Sequence, residues 1–176
     1  GLDNSGKTSL LAKLKPQSRR RESGAPTEVT PTVGYAQDEF VRGPLNLTVF
    51  DMAGASRYRE LWSQYYREAK AIMFVVDSTD HIRMCVAKNE LETLLAHNDI
   101  KNRAIPLLLF ANKMDVPGSL GPTKVAELMG LAALCGSSDG LAPARPWQVI
   151  QSNALDGFGV DDGLAWLADQ IKRTSL

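Results

Sequence analysis

The sequence predicts an α/β fold of three layers, in which helices cover both faces of a mostly parallel β-sheet. Patterns typical of strands and helices alternate along the 176 residues, as they do where helices connect parallel strands. Two continuous apolar runs, at 71–77 and 105–111, are typical of strands buried on both faces. A glycine-rich turn at residues 1–8 leads directly into a helical pattern. The length suits one domain, and we expect residues 1–176 to form it.

The first helix follows the glycine-rich turn. Leu10, Leu11 and Leu14 lie on one helical face, and Pro16 ends the pattern. Residues 17–30 are polar, contain glycine and proline, and include three consecutive arginines. This composition predicts a long mobile loop.

A hairpin and a buried strand complete the first half. Strands at about 33–41 and 45–51, joined by a Gly-Pro turn, predict an antiparallel pair. Apolar residues at Leu61, Tyr65 and Ala69 have helical spacing. The apolar run 71–77 is the next strand, and Ser78, Thr79 and Asp80 can cap the helix after it. The face of that helix comprises Met84, Ala87, Leu91, Leu94 and Leu95.

The second half repeats the alternation. The run 105–111 predicts a buried strand, and Pro122 begins a short helix that extends to about Met129. Residues 134–146 are rich in glycine, serine and proline, which favours a loop, and 147–151 is the last strand. The last helix has one apolar stripe, made by Val160, Leu164, Leu167, Ala168 and Ile171.

Composition excludes several classes of protein. Lysine plus arginine and aspartate plus glutamate both number 20, so the formal net charge is zero and nothing draws the whole chain to nucleic acid. The two cysteines have neither disulfide nor zinc spacing, which suits a reducing compartment. No apolar run reaches the length of a bilayer span.

The glycine-rich turn is a candidate phosphate-binding loop. Residues 1–8 read G-x-x-x-x-G-K-T, a pattern in which backbone N–H groups surround a phosphate chain, the lysine neutralises it and the threonine holds Mg²⁺. The helix that follows adds the positive end of its dipole. The candidate phosphate-binding residues are Asp3, Asn4, Ser5, Gly6, Lys7, Thr8 and Ser9.

Two further segments predict contacts to Mg²⁺ and to a third phosphate. Asp51-Met52-Ala53-Gly54 ends a strand with the pattern D-x-x-G, in which the aspartate reaches Mg²⁺ through water and the Gly54 N–H contacts a γ-phosphate. Thr32, at the end of the polar loop, can offer its hydroxyl to Mg²⁺ and its N–H to the same phosphate. The predicted metal ligands are Thr8, Thr32 and Asp51.

A third motif predicts selectivity for guanine. Asn112-Lys113-Met114-Asp115 directly follows a buried strand. The carboxylate of Asp115 can accept hydrogen bonds from two guanine N–H donors, whereas adenine would leave that acceptor unpaired. The backbone N–H of Ala154, after the last strand, is a candidate partner of guanine O6. This motif disfavours a kinase that uses ATP.

These patterns together resemble the small GTPases, and most closely the ADP-ribosylation factor (Arf-like) family. The resemblance spans nearly the whole chain, and the segments that carry it are Gly1–Thr8, Pro31–Tyr35, Phe50–Gly54, Arg57–Trp62, Arg83–Leu95 and Phe110–Asp115. Within the family the chain is most similar to the ciliary branch associated with Bardet–Biedl syndrome. The resemblance implies a P-loop GTPase fold with an antiparallel hairpin between its two nucleotide-sensing segments. Such a phosphate loop follows a buried strand, so we expect a first strand and an N-terminal segment before Gly1.

The chain departs from the family pattern at two places. The loop between Pro16 and Pro31 is longer than usual, and Ala55 occupies the position of the glutamine that orients the attacking water. No catalytic residue is therefore intact, and whether the chain is an enzyme stays open. Two functions remain: a GTP switch with slow hydrolysis, or an interaction module that hardly hydrolyses GTP and is reset only by nucleotide exchange.

The resemblance also implies cofactors, partners and location. It implies GTP or GDP with Mg²⁺, a guanine-nucleotide exchange factor, and an effector coat complex, the BBSome. The effector would contact an aromatic patch of Tyr35, Phe50 and Tyr65; the alternative is that these rings only pack beneath neighbouring elements. We expect a monomer that binds no nucleic acid and is located in the cytoplasm and on the membrane of the cilium or basal body. Membrane attachment would come from the segment before Gly1.

Overall fold

The computed structural model describes residues 1–16, 30–43, 45–136 and 144–174. Its strands are β1 (Tyr35–Arg42), β2 (Leu45–Met52), β3 (Ile72–Asp77), β4 (Leu107–Asn112) and β5 (Trp147–Gln151). Its α-helices are α1 (Lys7–Leu14), α2 (Met84–Ala96), α3 (Asn98–Lys101), α4 (Pro122–Met129), α5 (Leu131–Cys135) and α6 (Val160–Thr174), and a 3₁₀ helix spans Ser56–Tyr65. Nearly all of the predicted loop 17–30, with its arginine run, and most of the predicted loop 134–146 lie outside the described residues.

The strands form two sheets. β3, β4 and β5 are parallel neighbours in that order, with β4 in the centre. β1 and β2 form the predicted antiparallel hairpin, in a register that pairs Tyr35 with Met52 and Arg42 with Leu45. Within the described residues β2 and β3 are not hydrogen-bonded to each other, so the hairpin and the parallel strands form separate sheets. A cavity of about 600 Å³ with largely apolar walls separates them.

Helices cover both faces of the parallel sheet, as the three-layer prediction requires. Every residue of β4 is buried, because its side chains pack alternately against the two helical layers. One layer is formed mainly by α2, α4 and α5, whose core residues include Leu91, Leu94, Val125, Met129 and Leu131. The opposite layer is formed by α1 and α6, whose core residues include Leu10, Leu14, Val160, Leu164 and Leu167.

Three short elements differ from the sequence prediction. The helix expected from Leu61 to Ala69 is a 3₁₀ helix that begins at Ser56 and ends at Tyr65. Two brief helices, α3 and α5, were not predicted. α3 begins where the ring of His97 accepts the N–H of Asp99 at 3.2 Å, and α5 starts directly after Gly130, whose φ of 66° ends α4. Such short segments contain too few periodic positions to be recognised from sequence.

The parallel sheet brings the predicted motifs to one edge. The carboxyl ends of parallel strands meet at the same side of a sheet, where ligands bind in open α/β folds. Asp77 ends β3 opposite Asn112, which ends β4. The loop after β5 begins at Ser152, beside them. The residues that follow each strand are therefore neighbours in space.

Candidate functional site

The phosphate loop forms a tight turn at the N-terminus of α1. Gly6 has a φ of 93°, which L-residues rarely adopt, and a Cβ there would overlap with the side-chain nitrogen of Asn112. Asn4 also has a positive φ, of 59°. The Ser5 hydroxyl donates to the Leu2 carbonyl at 2.9 Å, which closes the turn. The motif glycine at position 6 is thus required by both the backbone and the space around it.

Lys7 is the central cation of this loop. Its ammonium donates to the Leu2 carbonyl at 2.6 Å and is partly buried. Burial lowers the pKa of Lys7, and the carboxylates of Asp51 and Asp3 partly oppose that effect. A half-desolvated ammonium at a helix N-terminus interacts strongly with an oxyanion, because the low local dielectric weakens screening by water.

Three oxygen atoms meet next to Lys7. The Thr8 hydroxyl donates to Asp51 Oδ2 at 2.6 Å, and its oxygen lies 3.0 Å from the hydroxyl oxygen of Thr32. The structure thus brings together the three predicted metal ligands, although Thr32 and Asp51 lie 24 and 43 residues after Thr8 in the sequence. Hydroxyl and carboxylate oxygens are ligands that suit Mg²⁺. Among the described residues no cluster of three His, Cys, Asp or Glu side chains could hold a metal, so a site here depends on the threonines.

Gly54 lies directly against the phosphate loop. A Cβ at this position would overlap with the Asp3 nitrogen and the Leu2 carbonyl carbon. Only glycine permits this approach of two backbones. Ala55 follows, half-buried, and its carbonyl accepts the Tyr58 N–H at 2.9 Å. The methyl side chain of Ala55 offers no hydrogen bond to a water molecule.

Asn112 connects the phosphate loop to the loop after β5. Its Nδ2 donates to the Ser5 carbonyl at 2.8 Å, and its Oδ1 accepts the Ala154 N–H at 3.0 Å and the Ser152 hydroxyl at 3.3 Å. The residue is 1% exposed. The Ala154 N–H, which the sequence predicted as a partner of guanine O6, therefore points to Asn112 in this structure. The reason is that a buried amide oxygen requires a donor, and the backbone of Ala154 supplies it.

Lys113 and Asp115 flank the position expected for a base. Lys113 has a φ of 64°, and its ammonium is 2.6 Å from Asp77 Oδ2. Asp77 Oδ1 also accepts the N–H and the hydroxyl of Thr79. Burial alone would raise the pKa of Asp77, but the hydrogen bonds from Lys113 and Thr79 outweigh it and lower that pKa. Asp115 is exposed.

The three aromatic residues of the predicted patch are in contact. The ring centroids of Tyr35 and Tyr65 are 4.9 Å apart, and those of Phe50 and Tyr65 are 4.6 Å apart. Tyr35 is 49% exposed and Phe50 is half-buried, so the cluster reaches the surface. Tyr35 and Phe50 lie diagonally on one face of the hairpin, and Tyr65 ends the 3₁₀ helix.

Sequence reasoning missed the polar residues that support the site. Arg59 contacts the Gly54 carbonyl and Glu90, while Arg83 pairs with Asp80 at 2.6 Å and with Asp3 at 3.1 Å. These residues lie in three separate segments of the chain. A single sequence contains no signal that relates them, because neither periodicity nor motif spacing connects distant partners.

The fold and the site together define a small-GTPase-like nucleotide-binding protein with a phosphate loop. The chain belongs to the ADP-ribosylation factor family, whose profile matches residues 1–171. The predicted P-loop GTPase fold and the predicted family are thereby confirmed.

Known relatives agree over almost the full length. ADP-ribosylation factor-like protein 6 of Danio rerio is 46% identical over 172 residues, which cover 98% of this chain and 86% of that protein. The protein of the same name from Caenorhabditis elegans is 35% identical and covers 98% of the chain and 84% of its own length. ADP-ribosylation factor-like protein 1 of Saccharomyces cerevisiae is 36% identical, with coverage of 100% and 87%.

A solved structure has the same fold. The small GTPase Arl6 BBS3 of Trypanosoma brucei, determined with the bound nucleotide analogue GppNp, superposes with a TM-score of 0.85 at 39% identity. The match covers 99% of this chain and 95% of that one. Within the described ranges, none of the helices is both long and apolar enough to cross a membrane.

Proposed function

We propose that this chain is a GTP-dependent switch that recruits a coat complex of the BBSome type to the ciliary membrane. Two observations support the nucleotide part. Thr8 meets Thr32 and Asp51 at the start of α1, and Gly54 packs on the phosphate-loop backbone at Leu2 and Asp3. A γ-phosphate is the group that such an arrangement can sense, because it would contact the loop and both segments that follow it. Family membership supports guanine as the base.

Each part of the site has a separate role in this proposal. The N–H groups of the phosphate loop and Lys7 bind the phosphates, and Lys7 exchanges the Leu2 carbonyl for phosphate oxygens. Thr8, Thr32 and, through water, Asp51 hold Mg²⁺, which when bound neutralises phosphate charge. Asp115 accepts the guanine N–H donors. A third phosphate would contact Thr32 and Gly54 together, and its loss would shift the hairpin between them.

Hydrolysis is slow in this proposal. The small GTPases hydrolyse GTP at about 10⁻⁴ s⁻¹ without help, and Ala55 lacks the group that orients water. The second candidate, a module that hardly hydrolyses GTP and is reset by exchange, is favoured by the same methyl side chain. The two differ only in the hydrolysis rate, so one single-turnover measurement separates them.

Partners and location are proposed from the relatives. The name of the Trypanosoma protein contains BBS3, which supports an effector that is the ciliary coat complex, together with an exchange factor. The patch of Tyr35, Phe50 and Tyr65 is the proposed contact surface. We propose a single-domain monomer that resides in the cytoplasm and on ciliary membranes.

The proposed Mg²⁺ site can be tested by measuring how fast the nucleotide dissociates. A fluorescent GppNp analogue should dissociate faster after Mg²⁺ is chelated. Thr8→Ala or Thr32→Ala should reduce the difference between the dissociation rates measured with and without Mg²⁺. Thr93→Ala is a matched control, because its hydroxyl donates within α2, away from the loop. Release that is equally fast with and without Mg²⁺ in the unaltered protein would contradict the proposed site.

A further inference from the structure

Two side chains of the 3₁₀ helix hold the backbone of residues 53–55. The indole N–H of Trp62 donates to the Ala53 carbonyl at 2.9 Å, and the Nε–H of Arg59 donates to the Gly54 carbonyl at 2.9 Å. Trp62 is 5% exposed, and the Arg59 side chain is 15% exposed. Two consecutive peptide groups are therefore held by one buried and one partly buried donor from the same element.

Fixing these carbonyls also fixes the N–H groups behind them. A peptide group is planar and trans, so its C=O and N–H point in opposite directions. The bond from Trp62 to the Ala53 carbonyl thus sets the direction of the Gly54 N–H, and the bond from Arg59 to the Gly54 carbonyl sets that of the Ala55 N–H. Both peptide groups lie at the phosphate loop, because Gly54 packs on the backbone of Leu2 and Asp3.

The side chains of residues 53–55 cannot themselves contact a phosphate. Two are methyl groups and one is a hydrogen atom. The backbone N–H groups are thus the donors that this segment can offer to a γ-phosphate. In a chain with alanine at position 55, the direction of these N–H groups determines how strongly the segment distinguishes a triphosphate from a diphosphate.

Arg59 is itself held at both sides. Its Nη1 donates to Glu90 of α2 at 2.6 Å, and its Nη2 lies 3.8 Å from Asp3 of the phosphate loop. A guanidinium fixed by two carboxylates keeps its Nε–H directed at one carbonyl. The contact to α2 also attaches the segment to the packed core of the domain.

We propose that Trp62 and Arg59 are positioning residues that aim the Gly54 and Ala55 N–H groups at the γ-phosphate and thereby set the preference for GTP over GDP. This inference rests on the proposed nucleotide switch. It concerns neither the metal ligands nor the base. It therefore predicts that the ratio of the affinities for GTP and GDP changes, without a general loss of nucleotide binding.

The decisive variant is Trp62→Phe, which keeps an aromatic ring and removes the indole N–H. Dissociation constants for GDP and for GppNp should be measured by titration with Mg²⁺ present. We expect the preference for GppNp over GDP to fall by about tenfold, as the loss of one hydrogen bond to a charged group implies. The GDP affinity should stay within about twofold, because the bonds to the α- and β-phosphates are unchanged. Trp166→Phe is the matched control, since Trp166 packs on the opposite layer at α6.

A second variant keeps the inference testable if Trp62→Phe does not fold. Arg59→Lys retains the charge but lacks the Nε–H donor, and Arg57→Lys on the exposed side of the same helix is its control. A GppNp-to-GDP preference that is unchanged in the folded variants, or equal losses for both nucleotides, would overturn the inference. If the unaltered protein bound neither nucleotide, the proposed function would fail instead.

Discussion

At the scale of single residues, Lys113 shows how the structure stabilises an unfavourable conformation. Its positive φ is uncommon for a side chain with a Cβ and costs energy. The ion pair with Asp77 at 2.6 Å anchors the ammonium, and Thr79 fixes the other carboxylate oxygen. Asp77 was not identified from the sequence, where it is only the last residue of a strand. Asp77 therefore supports the conformation of Lys113, two residues before Asp115.

This support predicts a pH-dependent loss of stability. The pKa of Asp77 is lower in the folded protein than in the unfolded chain. Its stabilising effect is therefore complete above the unfolded pKa of about 4 and disappears as the pH falls through the lower folded value. Asp77→Asn should lower the free energy of unfolding by about 1 kcal/mol at neutral pH, and the difference from the unaltered protein should shrink as the pH is lowered from 7 to about 3.

Urea unfolding at both pH values measures this effect. Asp169→Asn, which removes an exposed pair with Arg173, is the control and should change stability by less than about 0.5 kcal/mol. If Asp77→Asn lowered the free energy of unfolding equally at both pH values, the ionised carboxylate would not be the stabilising group.

Asp115 should determine which base is bound. Asp115→Asn replaces one carboxylate oxygen by an N–H₂ donor, which suits the carbonyl that xanthine carries in place of the guanine amine. We expect the affinity for GDP to fall by at least about a hundredfold, and xanthosine diphosphate to bind better than GDP. Competition titrations with the two diphosphates give the result directly. Unchanged guanine preference in the variant would mean that other groups read the base.

Ala55 should limit hydrolysis. Restoring a water-orienting amide with Ala55→Gln is expected to raise the single-turnover rate by at least about tenfold. Ser56→Gln, one residue further along, places the same side chain at the exposed start of the 3₁₀ helix and serves as control. If the rate of Ala55→Gln were the same as that of the unaltered protein, another group or a partner would have to orient the water.

At the scale of elements, the hairpin of β1 and β2 is the part that can report the nucleotide state. It lies between Thr32 and Gly54, the two residues proposed to sense the third phosphate. Its register pairs Tyr35 with Met52, next to Ala53 and Gly54. Movement at either end therefore shifts Tyr35 and Phe50 relative to Tyr65. A partner can distinguish the two states only if its affinity for them differs.

Removing part of the aromatic patch should weaken the partner and not the nucleotide. Phe50→Ala or Tyr35→Ala removes a ring contact of 4.6 or 4.9 Å to Tyr65, on the opposite face of the hairpin from Asp51. Truncation of an aromatic side chain at the centre of an interface typically lowers the binding affinity at least tenfold. Val41→Ala, exposed on the same hairpin, is the control.

The measurement is capture of the purified coat complex by the GTP-loaded and GDP-loaded forms. The unaltered protein should capture it only when GTP-loaded, and the two aromatic variants should capture less at equal nucleotide occupancy. Equal capture by both nucleotide forms of the unaltered protein would favour a constitutive scaffold.

At the scale of the whole molecule, the sequence predicted the layers and the motifs but not their connections. The buried runs of β3 and β4 and the stripes of α2 and α6 were recognisable, because continuous burial and helical spacing leave patterns in one sequence. The hydrogen bonds of Arg59 and Trp62 to the carbonyls of Gly54 and Ala53 were not predicted, since contacts between distant residues leave no pattern in one sequence.

The predicted site residues fall into two groups. Thr8 lies within hydrogen-bond distance of both Thr32 and Asp51, so the three residues assigned to one Mg²⁺ are close together, and metal binding by them stays a prediction. The Ala154 N–H donates to Asn112 Oδ1, a contact that the sequence did not reveal, and its contact with guanine O6 stays a prediction. Motif spacing thus predicts which residues gather, but not which hydrogen bonds they form.

The site should bind guanosine triphosphate together with Mg²⁺, in preference to ATP. Competition between GTP and ATP for the purified protein, with Mg²⁺ present, tests this preference most directly. A fluorescent guanine nucleotide is bound first and then displaced by a competitor. We predict that displacement requires at least about a hundredfold less GTP than ATP. If ATP competed as well as GTP, the site would not be selective for guanine.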